Sequence, residues 1–460
     1  MKGALILSMV VKALGAVLEI GSQVIITRFG SVELFGEYSF MVSVAEIVCW
    51  VFFSGIVKTN AFWIANGYDL RPWRKKFFVF YALPVVIILA MLLGLGYSAL
   101  AALAVFAGLG YALQMDFSSI SLAFKRYKFF LTGEYVVSRI VILFGALTLS
   151  FFDALNEASV VVLYALGYIA SVSFFIIGGH GSEGGLKHLS EQNERGLARQ
   201  TAIFQATDVA NGLVNQAPTI IQYAFAGAFQ AGVLSVVLVT KKIISFVAGP
   251  TAKVYLPEFA RLYGEKDFEG LKRVYSDIVV LQLCFVLPIC LVMIGAPDAI
   301  LSIYNPQLEQ YGSYMQFASV IFFVMVLFGP QGNLLSMTGR ERIEAGTKGV
   351  SLVAMIVTMA ATFGDPLFVM YGIAAQVIVD SFGKLWFVTR AVGGFPIGVS
   401  SAFKLVLPFA LCLGVVELAG FSGILRLVLA LVLACVLCVV LVLLFYWKEI
   451  KERLKGRLLR

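Results

Sequence analysis

The stretch VIITRFGSVELFGEYSF (Val24–Phe40) decides the fold, because it returns 196 residues later as IIQYAFAGAFQAGVLSV (Ile220–Val236). That shift places Phe29 on Phe225, Gly36 on Gly232 and Ser39 on Ser235. A shift of 214 lays KRYK (Lys125–Lys128) on GRER (Gly339–Arg342), each at the close of a fourth helix. Matches that keep their order along a chain are the mark of a duplicated unit. The two halves therefore read as copies of one block.

What kind of block follows from composition. The 460 residues are 60% apolar and only 13% charged, with a mean hydropathy of +0.92, whereas soluble domains run near 45–50% apolar and 25% charged. A bilayer-spanning helix needs about 20 mostly apolar residues, and about fourteen such runs can be placed, from Ala4–Arg28 to Ile424–Trp447. The expected architecture is an all-α polytopic membrane protein, two parallel six-helix lobes plus two C-terminal helices. An even number of spans per copy returns the chain to its starting side, so the copies are related by an axis along the membrane normal. The lobes are expected at 1–178 and 200–391, joined by a cytoplasmic linker at 179–199. Two additional helices at 392–447 and a basic cytoplasmic tail at 448–460 complete the chain.

Orientation follows from Lys and Arg. With the amino terminus inside, the inner connections RPWRKK, KRYK, KHLSEQNERGLAR, RLYGEKDFEGLKR and GRERIEAGTK and the tail KEIKERLKGRLLR are all basic. The outer ones, GYS, DALNE, AGAF, APDAILSIYNPQLEQY, GDP and ELAGFSG, hold no Lys or Arg. Both termini are expected in the cytoplasm, and the first run, too long for a signal-peptide core, reads as a retained span. The net charge of +8 is spread over one membrane face, so it gives no reason to expect a nucleic-acid partner. The six cysteines all lie in apolar runs, where a disulfide framework is not expected. Cys435 and Cys438 form a CxxC without His or Asp nearby, so no metal or cofactor is expected. His180 and His188 read as solvated linker residues, and the Gly-rich linker as flexible chain, because no strand precedes it as a phosphate-binding loop requires.

The informative residues are the ionisable ones within apolar runs. At about 100° per residue, Ser8, Lys12, Gly15, Glu19, Ser22 and Gln23 share one face of the first helix. Gln205, Asp208, Asn211, Asn215 and Gln222 share a face of the seventh, and the 196 shift puts Lys12 on Asp208, Gly15 on Asn211 and Glu19 on Asn215. Glu46 of the second helix falls on Lys242 of the eighth, beside Lys241. Asp116, Glu134, Arg139, Asp380 and Lys384 lie in other spans. Charged groups in hydrocarbon are costly and face a bundle interior or water. Two readings stand: interhelical pairs that hold the bundle, such as Asp380 with Lys384 at i,i+4, or stripes lining a hydrated vestibule between the halves. Equivalent helices polar over about 25 Å favour the vestibule. In it Lys12, Arg139, Lys241, Lys242, Asn211 and Asn215 are candidate substrate-binding residues, the cations suited to phosphate. Glu19, Glu46, Asp208 and Asp380 are candidates for ion coupling.

The stretch AGPTAKVYLPEFARLYGEKDFEGLKRVYSD, together with GAPDAILSIYNPQLEQYGSYMQF, QGNLLSMTGRERIEAG and RFGSVELFGEYSF, resembles in order the connections of the multidrug/oligosaccharidyl-lipid/polysaccharide (MOP) exporter superfamily, over essentially the whole chain. The extra C-terminal helices and basic inner loops are similar to its polysaccharide-biosynthesis branch, the O-antigen-type flippases. The resemblance implies a non-enzymatic protein of the bacterial inner membrane that translocates a polyprenyl-diphosphate-linked oligosaccharide to the periplasmic leaflet by alternating access, coupled to an ion gradient. Its implied partners are that lipid-linked oligosaccharide, membrane lipids, a polysaccharide polymerase and other glycan-assembly proteins. The acidic groups Glu19, Glu46, Asp116, Glu134, Asp208 and Asp380 about balance the cations, which keeps a cation-coupled multidrug exporter of the same fold as the alternative. A membrane-embedded polymerase or ligase fits less well, since the outer connections are short.

Overall fold

The computed structural model describes residues 2–65, 67–94, 99–178, 187, 191–392, 394 and 398–458. His180, His188 and the outer turn GYS lie outside them. The helices are α1 (Lys2–Ile25), α2 (Val32–Phe52), α3 (Ser54–Ala65), α4 (Arg71–Gly94), α5 (Ala99–Ala123), α6 (Tyr127–Thr132), α7 (Ser138–Phe151), α8 (Glu157–Ile177) and α9 (Glu191–Gly264). They continue as α10 (Phe268–Gly295), α11 (Pro297–Tyr304), α12 (Gly312–Leu327), α13 (Gln331–Met337), α14 (Glu341–Ala361), α15 (Phe368–Val392), α16 (Val399–Leu418) and α17 (Gly423–Leu458). Among the described residues there is no strand, and the one isolated bridge pairs Tyr68 with Lys187. Twelve described stretches are long and apolar enough to cross a bilayer; one of them, Asn193–Ser245, runs through the turn at Gly227. The chain is an all-helical, multi-pass membrane protein.

Helix ends follow local chemistry. Ser31 caps α2 by accepting from Leu34 N–H at 3.0 Å. Asn156 and Ser159 cap α8 reciprocally, and Asp267 accepts from Gly270 N–H at the start of α10. The long α9 is broken where Gly227 takes φ +84 and ψ 175, a conformation that glycine adopts without strain. One feature departs from the sequence expectation. The apolar run Phe35–Lys58, read as a single span, is interrupted at Phe53 (φ −126, ψ −13), with α2 on one side and α3 on the other.

The chain forms two compact units, Met1–Ser235 and Val236–Arg460. In unit 1 the apolar core gathers Val48, Phe53, Ile56, Trp73, Phe77 and Ile120, and the first arm of α9 (191–226) runs antiparallel along α2 and α3. Close glycine contacts draw one end of that seam together. A Cβ on Gly36 would lie 1.8 Å from the Ala228 carbonyl oxygen, and one on Gly232 would lie 2.2 Å from the Val32 carbonyl oxygen. Gly36 and Gly232, like Val32 and Ala228, are related by the 196 shift. The contact is thus self-complementary under that shift. In unit 2, α10 is the central helix: Leu271, Tyr275, Ile278, Leu283, Leu334 and Leu437 form its main cluster, with α16 and α17 packed on it.

Candidate polar interior

In unit 1, one membrane-spanning segment is made of α6, a π-helical turn over Gly133–Val137, and α7. The wider turn frees carbonyls that a regular helix would use internally, and such turns are frequent at functional sites. Here the side chains of neighbours satisfy them. Gln114 Nε2 donates to the Gly133 and Glu134 carbonyls at 2.9 and 3.2 Å, Ser171 Oγ donates to Gly133 O, and Arg139 Nη1 donates to Glu134 O at 3.0 Å. The turn presses Tyr135 against α1, where only glycine fits: a Cβ on Gly15 would lie 2.5 Å from Tyr135 O.

Around that ring the predicted residues assemble. Lys12 Nζ lies 5.1 Å from the Tyr135 ring centroid and the Arg139 guanidinium carbon 5.7 Å from it, both in cation–π range. Arg139 Nε donates to Glu19 Oε2 at 3.1 Å, and these two side chains keep 26% and 29% of their surface exposed. Two cations therefore meet at one aromatic ring, with the Glu19 carboxylate on the second of them, at a site that is partly accessible.

A second group lies on the seam between α2 and α9. Gln216 Nε2 donates to Glu46 Oε2, Trp50 packs against Gly212, and Asp208 is buried within electrostatic reach of Cys49. Asn211 is half-buried and Asn215 exposed; Asn215 Nδ2 donates to Asn211 O at 2.8 Å. Sequence reasoning missed the tyrosines beside this group. Tyr168 donates its hydroxyl to Tyr164 at 3.1 Å, Tyr38 and Tyr111 pack edge-on or tilted against them, and Tyr168 lies within electrostatic reach of Glu46, Arg139 and Glu19. The i,i+4 spacing of Tyr164 and Tyr168 was the available signal. Near α4, Asp116 is buried under Arg74, whose guanidinium bridges both its oxygens, and under Asn60 Nδ2 at 2.6 Å.

In unit 2, Asp380 receives two ammonium groups: Lys384 at 2.8 Å and Lys348 at 3.1 Å. Lys384 is 4% exposed. Lys241 sits over the Phe322 ring at 5.9 Å, and Lys242 is exposed. The candidates thus fall into separate groups: Lys12, Glu19 and Arg139 together on Tyr135; Glu46, Asp208, Asn211 and Asn215 along the seam; Asp380 with its lysines. Among the described residues no cluster of three or more His, Cys, Asp or Glu side chains could hold a metal ion.

No family model matches the chain, and no curated relative does. Solved structures do. The lipid II flippase MurJ in an inward closed conformation superposes with a TM-score of 0.71 at 14% identity, over 97% of this chain and 100% of that one. An inward-facing multidrug resistance MATE family transporter of the MOP superfamily gives 0.60 at 12% identity, over 84% and 98%. A MOP superfamily transporter from Pyrococcus furiosus, noted for the reverse polarity of its binding pocket, gives 0.58 at 10%, over 84% and 94%. At such identities the likeness is one of fold, and the chain has the fold of the MOP superfamily.

Proposed function

We propose that the protein is a flippase, moving a polyprenyl-diphosphate-linked oligosaccharide from the cytoplasmic to the periplasmic leaflet of the inner membrane by alternating access, coupled to an ion gradient. The observation that carries the reading is the pairing of Lys12 and Arg139 on one aromatic ring within a spanning bundle. A diphosphate is best held by an ammonium and a planar guanidinium, the latter able to bind two oxygens at once. Glu19 holds that guanidinium in place and can be displaced by a phosphate oxygen. The fold supports the same reading: the match to the lipid II flippase covers 97% of the chain and that to the multidrug transporter 84%. On this reading Glu46, held by the neutral Gln216 amide, is the carboxylate best placed to exchange a proton or cation during the cycle.

One observation favours a second reading, a cation-coupled multidrug exporter: the Arg139 guanidinium beside Tyr135 is already met by Glu19, and Glu46 and Asp208 lie on the same unit's seam. Deleting the gene separates the two. The flippase reading expects lipid-linked oligosaccharide stranded at the cytoplasmic leaflet and loss of the surface glycan; unchanged glycan with heightened sensitivity to cationic dyes would refute it in favour of the exporter.

A further inference from the structure

The break between α2 and α3 is stabilised by a residue 150 positions away. In an unbroken helix Gly55 N–H would donate to the Val51 carbonyl and Ser54 N–H to that of Trp50. Instead the side-chain amide of Gln205, on α9, occupies the gap. Its Oε1 accepts from Gly55 N–H at 2.7 Å, and its Nε2 donates to Trp50 O at 2.7 Å and Val51 O at 2.5 Å. Gly55 permits the approach, since a Cβ there would lie 2.6 Å from Thr201 O. Around this insertion the rest of the seam end is also polar: Thr59 and Thr201 hydroxyls meet at 3.1 Å, and Trp63 Nε1 donates to Gln200 Oε1 at 2.7 Å.

No proline enforces the break: the Ser54–Gly55 pair permits a kink there without forbidding a continuous helix. Within a bilayer an unsatisfied backbone N–H or C=O costs several kcal/mol. With Gln205 inserted the broken form has its Gly55 N–H and Val51 carbonyl met, the Trp50 carbonyl being shared with Ser54 Oγ; with Gln205 withdrawn a continuous helix meets them itself. Partial withdrawal leaves Gly55 N–H and Val51 O unmet. We propose that Gln205 is a latch: its insertion closes the end of the α2/α3–α9 seam nearest the basic RPWRKK connection, and its withdrawal both opens that end and straightens α2 and α3 into one helix. The latch gives one unit two discrete shapes, the kind of bistable element a transport cycle needs. Its use in transport rests on the proposed function, whereas its existence does not.

The test reads conformation alone, in the full chain in membranes. Thr201 is 3% exposed, so in the Thr201→Cys variant the new thiol should react slowly with a water-soluble maleimide, scored peptide by peptide. Adding Gln205→Leu, which can neither donate nor accept, should raise that rate by roughly tenfold, the equivalent of about 1.4 kcal/mol. The native Cys284, fully buried in unit 2, should stay as slow as before. Gln205→Glu keeps the shape and the acceptor for Gly55 but loses the amide donors, and should also raise the rate; it serves as the second variant if Gln205→Leu does not insert. An unchanged Thr201→Cys rate in both variants would overturn the latch. So would a rise matched by Cys284, which would mean general loosening. Loss of lipid translocation plays no part in this readout, so the flippase reading can fail while the latch stands.

Discussion

Both units bury carboxylates among their helices, but they meet them with different partners. In unit 1, Glu46 is met by the Gln216 amide, Glu37 by the Tyr223 hydroxyl at 3.4 Å, and Glu19 by a partly exposed guanidinium. In unit 2, Asp380 is clamped between two ammonium groups. The 196 shift carries this inversion, since it lays Glu46 on Lys242. A carboxylate held by a neutral donor can change partners at the cost of about one net hydrogen bond, whereas removing one member of a buried ion cluster strands a charge. Ligand exchange is therefore cheap at a carboxylate held as Glu46 is by Gln216 and costly at one held as Asp380 is. Unit 1 also holds carboxylates of the clamped kind, Asp116 with Arg74 and Asp69 with Arg71.

The sharpest way to break this contrast is Asp380→Ala, which leaves Lys348 and Lys384 facing one another without a carboxylate. A loss of about 3–5 kcal/mol is expected, read as a large fall in inserted protein and in the unfolding temperature of the purified chain. Replacing all three residues together by apolar ones should restore most of it. Wild-type stability of Asp380→Ala would mean that the cluster is solvated and the contrast false.

Next in size is Gly36→Ala. The added methyl has no room against Ala228, and because the obstacle is backbone, the two segments must separate. A cost of about 1–3 kcal/mol is expected. Gly232→Ala, its counterpart, should cost a similar amount, and the double substitution should be less than additive because both relieve the same contact. Strict additivity would deny the self-complementary geometry.

That contact was partly legible: the 196 shift names Gly36 and Gly232 as equivalents, and the structure sets them against one another. The polar stripe of α1 was legible too, because helical periodicity displays it. Its partner was not: Tyr135 reaches Lys12 through a π-helical turn, one extra residue that leaves no mark in composition or period. The break at Phe53 was less legible: Ser54–Gly55 is a weak local signal, and the glutamine that fills the gap comes from a distant helix.

Smaller effects on stability, with larger ones on transport, sharpen the unit 1 side. Lys12→Ala removes a half-buried cation stacked on a ring, so inserted protein should remain near wild type while translocation falls by roughly tenfold or more; Lys12→Arg should keep part of it. A parallel loss of protein and activity would instead make Lys12 a structural partner. Glu46→Gln should change stability by less than about 1 kcal/mol, since Gln216 keeps an amide partner, yet transport should no longer vary with pH. Transport that still follows pH as in the wild type would remove Glu46 from coupling.

The central claim is that the chain moves a diphosphate-linked glycolipid, and purified protein in vesicles tests it without the cell. A fluorescent polyprenyl-diphosphate oligosaccharide is placed in both leaflets, and a membrane-impermeant reductant quenches whatever faces outward. Protein-free vesicles should lose about half their signal, and vesicles with the wild-type chain should go on to lose most of the remainder as lipid is brought outward. Lys12→Ala should behave nearly as the protein-free control. Quenching that stops at the protein-free level with wild-type protein, while the same vesicles take up or expel a cationic dye along an ion gradient, would contradict the account.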